Sequence, residues 1–458
     1  MSDRKLDNGL FVFTRDLRLS DNTGLHHLTK SCKNVYLIFV FTPEQVGSGN
    51  AYKSNRAVQF MLESLEDLQR ASRGSLHFFY GKSDKVVEQC IREWDIQMVA
   101  FHLDVTPYSQ ERSKHIQRVC EKHDVQCHAF FDAFLHEPGS IVNGSGHTYV
   151  KFTPYYTSAK KMKVPAPLNA VSTASFRKTN KGISLAQARA KFVRPLDEPS
   201  IVQGGRSEAL KQLRKARAVV SRYASKRDDP NVPTTLLSAY LKFGCLSARE
   251  VYHAFKSNTT FTRQLYWRDF YANVTLAFPH VLRGHNLNPK YDKLKWRHNE
   301  RWLQAWKEGN TGIPLVDASQ RQLLSTGWTH NRCRMVSSSV LTKLMLIHWR
   351  HGEKFYAQHL VDYDPANNNG GWQWSAGGGS DAQPWFRYFN PFSQSKEHDP
   401  DCTYIKQWVP ELADVPAEAI HAWEEEWANF KDVTNYPKPI FSYKSQKEKS
   451  IQMYKDAL

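Results

Sequence analysis

Short apolar runs alternate with a helical pattern along the first 135 residues of this chain. Four runs, at residues 10–13, 35–41, 76–80 and 98–103, have the length and hydrophobicity of strands that are buried on both faces. Between the second and third runs, residues 54–71 carry apolar side chains at steps of three and four, which indicates an amphipathic helix. This alternation predicts right-handed βαβ units and a parallel sheet. No GxGxxG motif follows the first run, so a dinucleotide fingerprint is absent.

The remainder of the chain changes character twice. Residues 136–204 are punctuated by Gly, Ser and Pro and keep no period, which predicts a long connection between domains. From residue 205 the pattern is helical, and Ser247 with Glu250 has the form of a capping box. The polar tail at 442–458 is expected to be loosely held. The sequence therefore predicts an α/β domain at 1–135, a linker at 136–204 and an all-helical domain at 205–458.

The charge balance narrows the classes of partner. Lys and Arg number 62 against 45 Asp and Glu, a net charge of +17, which favours nucleic acid or an anionic membrane surface. No run of 18 apolar residues is present, so no membrane span is expected. The start lacks a hydrophobic signal core, and the seven cysteines form no CxxC pair. We therefore expect an intracellular protein of the nucleus or cytoplasm, with no secretion signal, disulfide framework or metal site.

Four segments of the helical half concentrate unusual side chains. Residues 362–374 hold two carboxylates, three consecutive asparagines, two glycines and two indoles, which predicts neither helix nor strand but a ligand-binding or surface turn. Residues 327–335 hold cations, an amide and a thioether. They form either a binding site or a solvated Arg face above a Met that packs in the core. Residues 264–269 place polar and indole groups on one helical face, at a site or in a helical core. The hydroxyls of residues 234–238 suit a phosphate or are ordinary helix caps.

Basic residues cluster beside these segments. Eight Lys and Arg lie between residues 206 and 227 against one acid, and six lie between residues 283 and 301 around Trp296. Cations interleaved with aromatics are typical of a surface that tracks phosphates and stacks bases, although a solvated helix face is the usual alternative. Together with the net charge, these runs favour DNA.

Several blocks of the sequence resemble one known family. Residues 13–22, Phe-Thr-Arg-Asp-Leu-Arg-Leu-Ser-Asp-Asn, are similar to the opening motif of the photolyase/cryptochrome family. Blocks that resemble its flavin domain follow in order at 241–249, 264–270, 309–318, 327–335, 368–374 and 385–412. The resemblance implies a Rossmann-like α/β antenna domain followed by an all-helical domain that binds FAD.

The resemblance also implies FAD contacts, position by position. The residues matched to the family's phosphate and ribose contacts are Tyr223, Thr234, Thr235, Leu236 and Ser238. Those matched to the rest of the cofactor cavity are Phe261, Gln264, Arg268, Asn331, Arg334, Asp362, Asp364 and Asn368. Arg334 is expected to pair with Asp362. Asn368 is expected to face flavin N5, where an amide stabilises reduced flavin without itself ionising.

An electron path is implied in the same way. Trp372, Trp349 and Trp296 stand where the family carries tryptophans that connect the flavin to the surface. A plain core role fits Trp349 equally well.

The lesion slot is matched to the class I photolyases, which repair cyclobutane pyrimidine dimers. The matched residues are Asn331, Arg332 and Met335, with Trp267 and Trp374 as the indoles that sandwich the flipped-out dimer. Photolyases for (6-4) photoproducts usually carry His at the positions of Asn331 and Met335. Gln264 departs from the class I pattern, which has Glu there, and is typical of (6-4) enzymes and animal cryptochromes.

The activity that the resemblance implies is photochemical. Reduced, anionic FAD absorbs blue light and passes an electron to the dimer, the cyclobutane ring splits, and the electron returns. Asn368, Gln264, Met335 and the three path tryptophans are the residues expected to serve this reaction, and UV-damaged DNA is the expected partner of a monomeric protein. In the antenna domain, Gln110 and Glu111 resemble a polar-acidic pair that holds methenyltetrahydrofolate in some members. A deazaflavin, a second flavin or no chromophore are the alternatives there.

Three rival functions remain open on the sequence. One is a cryptochrome, a blue-light photoreceptor without repair activity, which often has a long C-terminal extension. Another is a photolyase for (6-4) photoproducts, which Gln264 supports. A nucleic-acid-binding protein without chemistry is the third reading.

Overall fold

A computed structural model describes residues 5–232 and 234–458. Its first part is built on a parallel sheet with the strand order β3-β2-β1-β4-β5. The strands are β1 Leu6–Phe13, β2 Cys32–Phe41, β3 Leu76–Tyr80, β4 Met98–His102 and β5 Gln126–Phe130. The four predicted strands and the parallel sheet are confirmed. The edge strand β5 escaped prediction because its sequence, Gln-Cys-His-Ala-Phe, contains no apolar run.

Successive strand residues point to opposite sides of the sheet, and apolar side chains occur on both sides. Helices therefore cover both faces. They are α1 Thr23–Ser31, α2 Pro43–Val46, α3 Asn55–Ala71, α4 Ser83–Glu93 and α5 Pro107–Lys122. Leu10 and Val12 of β1 belong to the core on one face. Phe11 and Phe13 belong to the core on the other face, which continues without a break into the helical part of the chain. That second face therefore attaches the sheet to the helices.

The segment predicted to be an aperiodic linker contains helices of its own. They are α6 Phe152–Ala159 and α7 Leu185–Phe192. Both are eight residues long, too short for an amphipathic period to be recognised in the sequence. The proposed domain boundaries at residues 135 and 204 stay predictions.

The rest of the described chain is helical, as predicted. Its α-helices are α8 Arg206–Ser221, α9 Tyr223–Lys226, α10 Ser238–Lys242, α11 Ala248–Phe255, α12 Thr259–Ala277, α13 Glu300–Glu308, α14 Pro314–Thr326, α15 Asn331–Ser339, α16 Trp349–His359, α17 Pro365–Ala376, α18 Pro391–His398, α19 Thr403–Trp408, α20 Ala417–His421, α21 Trp423–Glu426 and α22 Tyr443–Ala457. A π-helix covers Val340–Leu344, and short 3-10 helices cover Pro279–Arg283, Pro289–Lys293, Pro410–Leu412 and Trp427–Phe430, with one more, Thr173–Ser175, in the preceding segment. The capping box predicted from Ser247 and Glu250 is present at the start of α11.

Two predictions about this half are wrong. The segment at 362–374 is mostly helical, because Asp364 caps α17 by accepting from the Asn367 N–H and Pro365 occupies the first helical position. Its poor intrinsic propensity is offset by packing, since Asn369 and Trp372 are buried. The tail is not loose either: it forms α22, whose Tyr454 side chain is 0% exposed.

No helix in residues 5–232 and 234–458 is long and apolar enough to cross a membrane. Residues 1–4, part of the segment interpreted as lacking a secretion signal, lie outside the described residues.

Candidate functional site

The candidate site begins where the strand ends of the sheet meet the helical half. Arg15 follows β1 and Asp104 follows β4, the two neighbouring strands between which the chain order reverses. Such a switch point opens a crevice at the carboxyl ends of the strands. Arg15 bridges Asp104 at 2.9 Å and Asp364, the cap of α17, at 2.8 Å. The α/β part thus holds the first turn of a helix that carries three of the predicted site residues.

Electrostatics keep this junction ionised. Burial alone would raise the pKa of Asp364, but the nearby cations Arg15, Lys242 and Arg268 hold that pKa well below its usual range. Burial, together with the charge of Arg15, lowers the pKa of Lys242 to about 8. The crevice therefore concentrates charges whose fields are strengthened by exclusion of water.

Helix α17 presents Asn368, Trp372 and Trp374. The side-chain N–H group of Asn368 donates to the main-chain oxygen of Glu353 at 3.0 Å, which fixes the orientation of the amide. Burial raises the pKa of the Glu353 carboxyl to about 7, and hydrogen bonds from Tyr52 and Asn368 offset only part of that rise. A carboxyl group whose pKa is close to neutral therefore lies beside the predicted flavin-facing amide.

Helix α15 brings its predicted residues together in an ordered row. Arg334 pairs with Asp362 at 3.1 Å, the ion pair expected from the resemblance, and donates to the Thr329 carbonyl at 2.9 Å. The Asn331 amide donates to the Met335 sulfur at 3.4 Å.

One predicted residue of α15 is engaged by a neighbouring carboxylate. Arg332 is paired with Asp228 at 2.7 Å, on the segment that follows α9. Any role of its guanidinium toward a ligand has to compete with that pair.

Helix α12 carries four more predicted residues, spaced along one face. Gln264 is half-buried and donates to the Thr260 carbonyl at 3.3 Å. Phe261 is buried, edge-on to the ring of Tyr223 at 5.3 Å. Arg268 donates to the Leu241 carbonyl at 3.3 Å and to the Ala133 carbonyl, so it also ties this helix to the strand-end side.

The indole of Trp267 has a partner that the sequence did not reveal. It stacks on the ring of Phe152, the first residue of α6, at 3.7 Å between centroids and 6° between planes. The supposed linker therefore supplies one wall of the candidate lesion slot. A readable signal was present, since the aromatics of this stretch are flanked by Lys151 on one side and by Lys160, Lys161 and Lys163 on the other, and those four lysines are exposed.

A basic pocket lies beside the predicted phosphate contacts. Its volume is about 90 Å³, and its lining includes Arg222, Tyr223, Lys226, Arg227 and Thr234. Near it, Leu236 has a φ of 49°, a left-handed conformation that is strained for a Leu. Cations and a hydroxyl in one concave surface suit a phosphate group.

Two of the three path tryptophans are buried and the third is half-buried. Trp372 and Trp349 are 3% and 1% exposed, whereas Trp296 is half-buried. The ring of His348 lies between the last two, 5.3 Å from Trp296 and 5.5 Å from Trp349. This geometry is compatible with a path from the interior to the surface, and equally with core packing at Trp349.

The predicted antenna residues do not form a shared contact. Gln110 donates to the Asp104 carbonyl, while Glu111 is exposed and pairs with His115 at 2.9 Å. Across the same crevice, the hydroxyls of Thr42 and Tyr108 lie 2.7 Å apart. Among the described residues, no group of three or more His, Cys, Asp or Glu is placed to hold a metal ion.

Comparisons with known proteins agree with this architecture. A family model described as DNA photolyase matches residues 10–172, and one described as the FAD binding domain of DNA photolyase matches residues 261–456. The chain is 33% identical to the deoxyribodipyrimidine photo-lyase of Escherichia coli over 98% of both chains. It is also 33% identical to the enzyme of that name from Alkalihalophilus pseudofirmus over 97% of both.

Solved structures give the same result. An archaeal photolyase from Sulfolobus tokodaii, whose crystal structure contains two FAD molecules, is 36% identical with a TM-score of 0.88, covering 98% of this chain and 100% of that one. A bacterial class III photolyase from Agrobacterium tumefaciens is 28% identical with a TM-score of 0.91, covering 99% and 98%. The present chain belongs to the DNA photolyase family.

Proposed function

We propose that this chain is a deoxyribodipyrimidine photo-lyase, a light-driven enzyme that uses FAD to split cyclobutane pyrimidine dimers in DNA. The observation that carries the proposal is the match of 98% of the chain to a photolyase with that name at 33% identity, across both parts of the fold. The arrangement of α12, α15 and α17 around one site supports it.

The residues present fit FAD. The basic pocket beside Tyr223 and Thr234 suits the pyrophosphate. The Arg334–Asp362 pair and the oriented Asn368 amide offer donors and acceptors for the polar edge of a flavin ring. When bound in its reduced form and excited by blue light, FAD supplies an electron to the dimer and takes it back after the ring has split.

We assign the lesion slot to the protein's own side chains as follows. Trp267 and Trp374 stack on the flipped-out bases, and the stack on Phe152 keeps Trp267 rigid. Asn331 and Met335 line the slot beside them. Gln264 donates a hydrogen bond to a carbonyl of the dimer. To do so, its amide N–H gives up only the long hydrogen bond to the Thr260 carbonyl. These donors stabilise negative charge that develops on the lesion.

The DNA backbone is held by exposed cations. Helix α8 carries most of the first basic run, and four exposed lysines lie in the segment at 151–163, which also supplies Phe152 to the Trp267 wall. Such contacts bind phosphates without reading sequence, so affinity for DNA should fall steeply as salt is raised.

The tryptophans Trp372, Trp349 and Trp296 serve, in this proposal, to reduce the flavin rather than to repair DNA. Trp349→Phe should abolish light-driven reduction of the bound flavin by an external thiol, yet leave repair intact once the flavin is reduced chemically. Loss of both activities would instead assign Trp349 to the structure of the site.

An antenna chromophore is proposed for the crevice near Tyr108 and Arg112. Arg112 has a buried Nε atom without a hydrogen-bond partner among the described residues, next to the Tyr108 ring. A planar group with an anionic tail could stack on the Tyr108 ring and accept a hydrogen bond from the Arg112 Nε–H. Methenyltetrahydrofolate, a deazaflavin and a second flavin have this character, and mass spectrometry of chromophores released from the native protein would distinguish them. Release of FAD alone, at one per chain, would contradict the proposal.

The decisive experiment is lesion-specific photorepair. Reduced protein is illuminated with oligonucleotides that carry either a cyclobutane thymine dimer or a (6-4) product, each beside a dark control, and restored thymine is counted. We expect light-dependent repair of the cyclobutane dimer alone. Repair of the (6-4) product would favour the alternative that Gln264 supports, and repair of neither by a flavin-loaded sample would favour a photoreceptor without repair activity.

A further inference from the structure

Helix α22, the tail expected to be loose, packs against the part of the chain that borders Trp374. The Tyr454 hydroxyl donates to the carbonyl of Ala376, the last residue of α17, at 2.8 Å. The side chains of Tyr454 and Ser450 are both 0% exposed. A buried hydroxyl group of α22 is thus hydrogen-bonded to the C-terminal end of the helix that carries Trp374.

The same helix also fixes the segment that follows α17, residues 381–389, here called the border loop. The Tyr454 ring lies parallel to the Trp385 indole, at 6.1 Å between centroids and 11° between planes. The Tyr388 hydroxyl donates to Ser450 at 3.0 Å. The border loop contains no helix or strand. It is held in place by α22 at two points, Trp385 and Tyr388.

A buried lysine outside α22 also holds the border loop in place. Lys343 donates to the carbonyls of Pro384 at 3.2 Å and Arg387 at 2.8 Å, both in the border loop. These bonds satisfy loop carbonyls that neither a helix nor a sheet would satisfy.

The border loop in turn backs the candidate lesion indole. The Gln383 N–H donates to the Trp374 carbonyl at 3.2 Å, and the ring of Phe389 lies 6.3 Å from the Trp374 ring. Both ends of the connection therefore meet at Trp374: the helix end through Ala376, and the loop through Gln383 and Phe389.

We propose that α22 is a positioning element for lesion recognition, in which Tyr454 and Ser450 hold the border loop and the end of α17 so that Trp374 is presented rigidly to the dimer. The inference rests on the proposed function, since it takes Trp374 as a wall of the lesion slot. Because Tyr454 and Ser450 are fully buried, the proposal has them act through Trp374 and not by contact with a ligand.

The test uses the flavin-loaded full chain and two conservative variants, Tyr454→Phe and Ser450→Ala. Dissociation constants are measured for one oligonucleotide with and without a single cyclobutane dimer. Each variant should weaken binding of the dimer about fivefold, the loss typical of one hydrogen bond, and leave binding of undamaged DNA and the flavin spectrum unchanged. Tyr80→Phe, on the exposed end of β3, is the matched control and should change nothing.

A coupling measurement separates positioning from a general loss of stability. If Tyr454 acts through Trp374, the effect of Tyr454→Phe on dimer affinity should disappear in a Trp374→Ala background. An equal loss in both backgrounds, a loss shared by undamaged DNA, or no loss at all would overturn the inference. If the unmutated protein repairs the dimer and binds it more tightly than undamaged DNA, the proposed function stands whatever the variants show. If it does neither, the proposed function and this inference are both overturned.

Discussion

Position 264 is where a single residue bears most directly on the choice of lesion. Gln264 is half-buried on α12 and its amide makes one long hydrogen bond, to a main-chain oxygen of its own helix. It is therefore free to turn toward a ligand. An amide donates a hydrogen bond without adding charge, whereas a protonated carboxyl group donates a stronger one.

We expect Gln264→Leu to lower the rate of dimer repair about tenfold, because a donor to a transient anion is lost. Gln264→Glu should repair the dimer at least as well as the parent protein. Flash-induced repair, counted per pulse at saturating DNA, measures both. If the Leu variant repaired the dimer at the parent rate, Gln264 would have no role in the chemistry.

The buried carboxyl group of Glu353 predicts a specific dependence of stability on pH. Its pKa is raised from 4.5 to about 7 by burial, so between these values the folded protein binds a proton that the unfolded chain has released. Stability conferred by this group is complete below pH about 4.5 and is lost as the pH rises toward and through 7, by on the order of 3 kcal/mol.

Glu353→Gln should therefore be nearly neutral at pH 5 and more stable than the parent protein at pH 8. Thermal unfolding of both proteins across this range measures the difference. Asp317, whose pKa burial also raises, to about 6, is present in both proteins, so the difference isolates Glu353. Parallel pH profiles would show that Glu353 is ionised in the folded state.

At the scale of elements, α17 shows how tertiary packing stabilises a helix whose residues have poor helix propensity. A methyl group on Gly370 would lie 2.2 Å from a ring carbon of Tyr271, whereas one on the adjacent Gly371 would meet nothing within 4 Å. The two glycines are alike in sequence and differ only in their surroundings. Gly370 allows α17 to approach α12, the helix that holds the other wall of the site.

Gly370→Ala should therefore destabilise the protein by about 1–3 kcal/mol through overpacking. Gly371→Ala is the matched control and should be neutral or stabilising by up to about 1 kcal/mol, because Ala is the better helix former. Thermal unfolding and retention of bound flavin report both effects. Equal melting temperatures for the two variants would contradict the close approach of α17 to α12.

Across the whole molecule, a buried cluster of ions joins the α/β part to the helices. Arg249 of α11 donates to Asp132 at 2.6 Å and to Asp21 at 3.0 Å, and Arg18 pairs with Asp132 from the other side. All four side chains are at most 10% exposed. Such clusters cost desolvation, so they are sensitive to the loss of one member rather than strongly stabilising as a set.

Arg249→Met should lower stability by about 3–5 kcal/mol, since it leaves Asp21 buried without its cation. Lys211→Met, which breaks the exposed pair with Glu208, is the control and should cost at most about 1 kcal/mol. Melting temperatures of the two variants measure the contrast. A small effect for Arg249 would show that the two parts of the chain are held together mainly by their shared apolar core.

Periodicity and local motifs determined much of this protein by themselves. The four apolar strands, the capping box of α11, the helical second half and the basic runs follow from side chains that are neighbours in the chain, and the family blocks placed Arg334 with Asp362 correctly. What sequence could not decide depended on contacts between distant residues. The helical state of residues 365–376, the order in α22, the Phe152 wall behind Trp267 and the Arg15–Asp364 bridge exist only because tertiary packing buries groups that local propensity would leave in turns or in water.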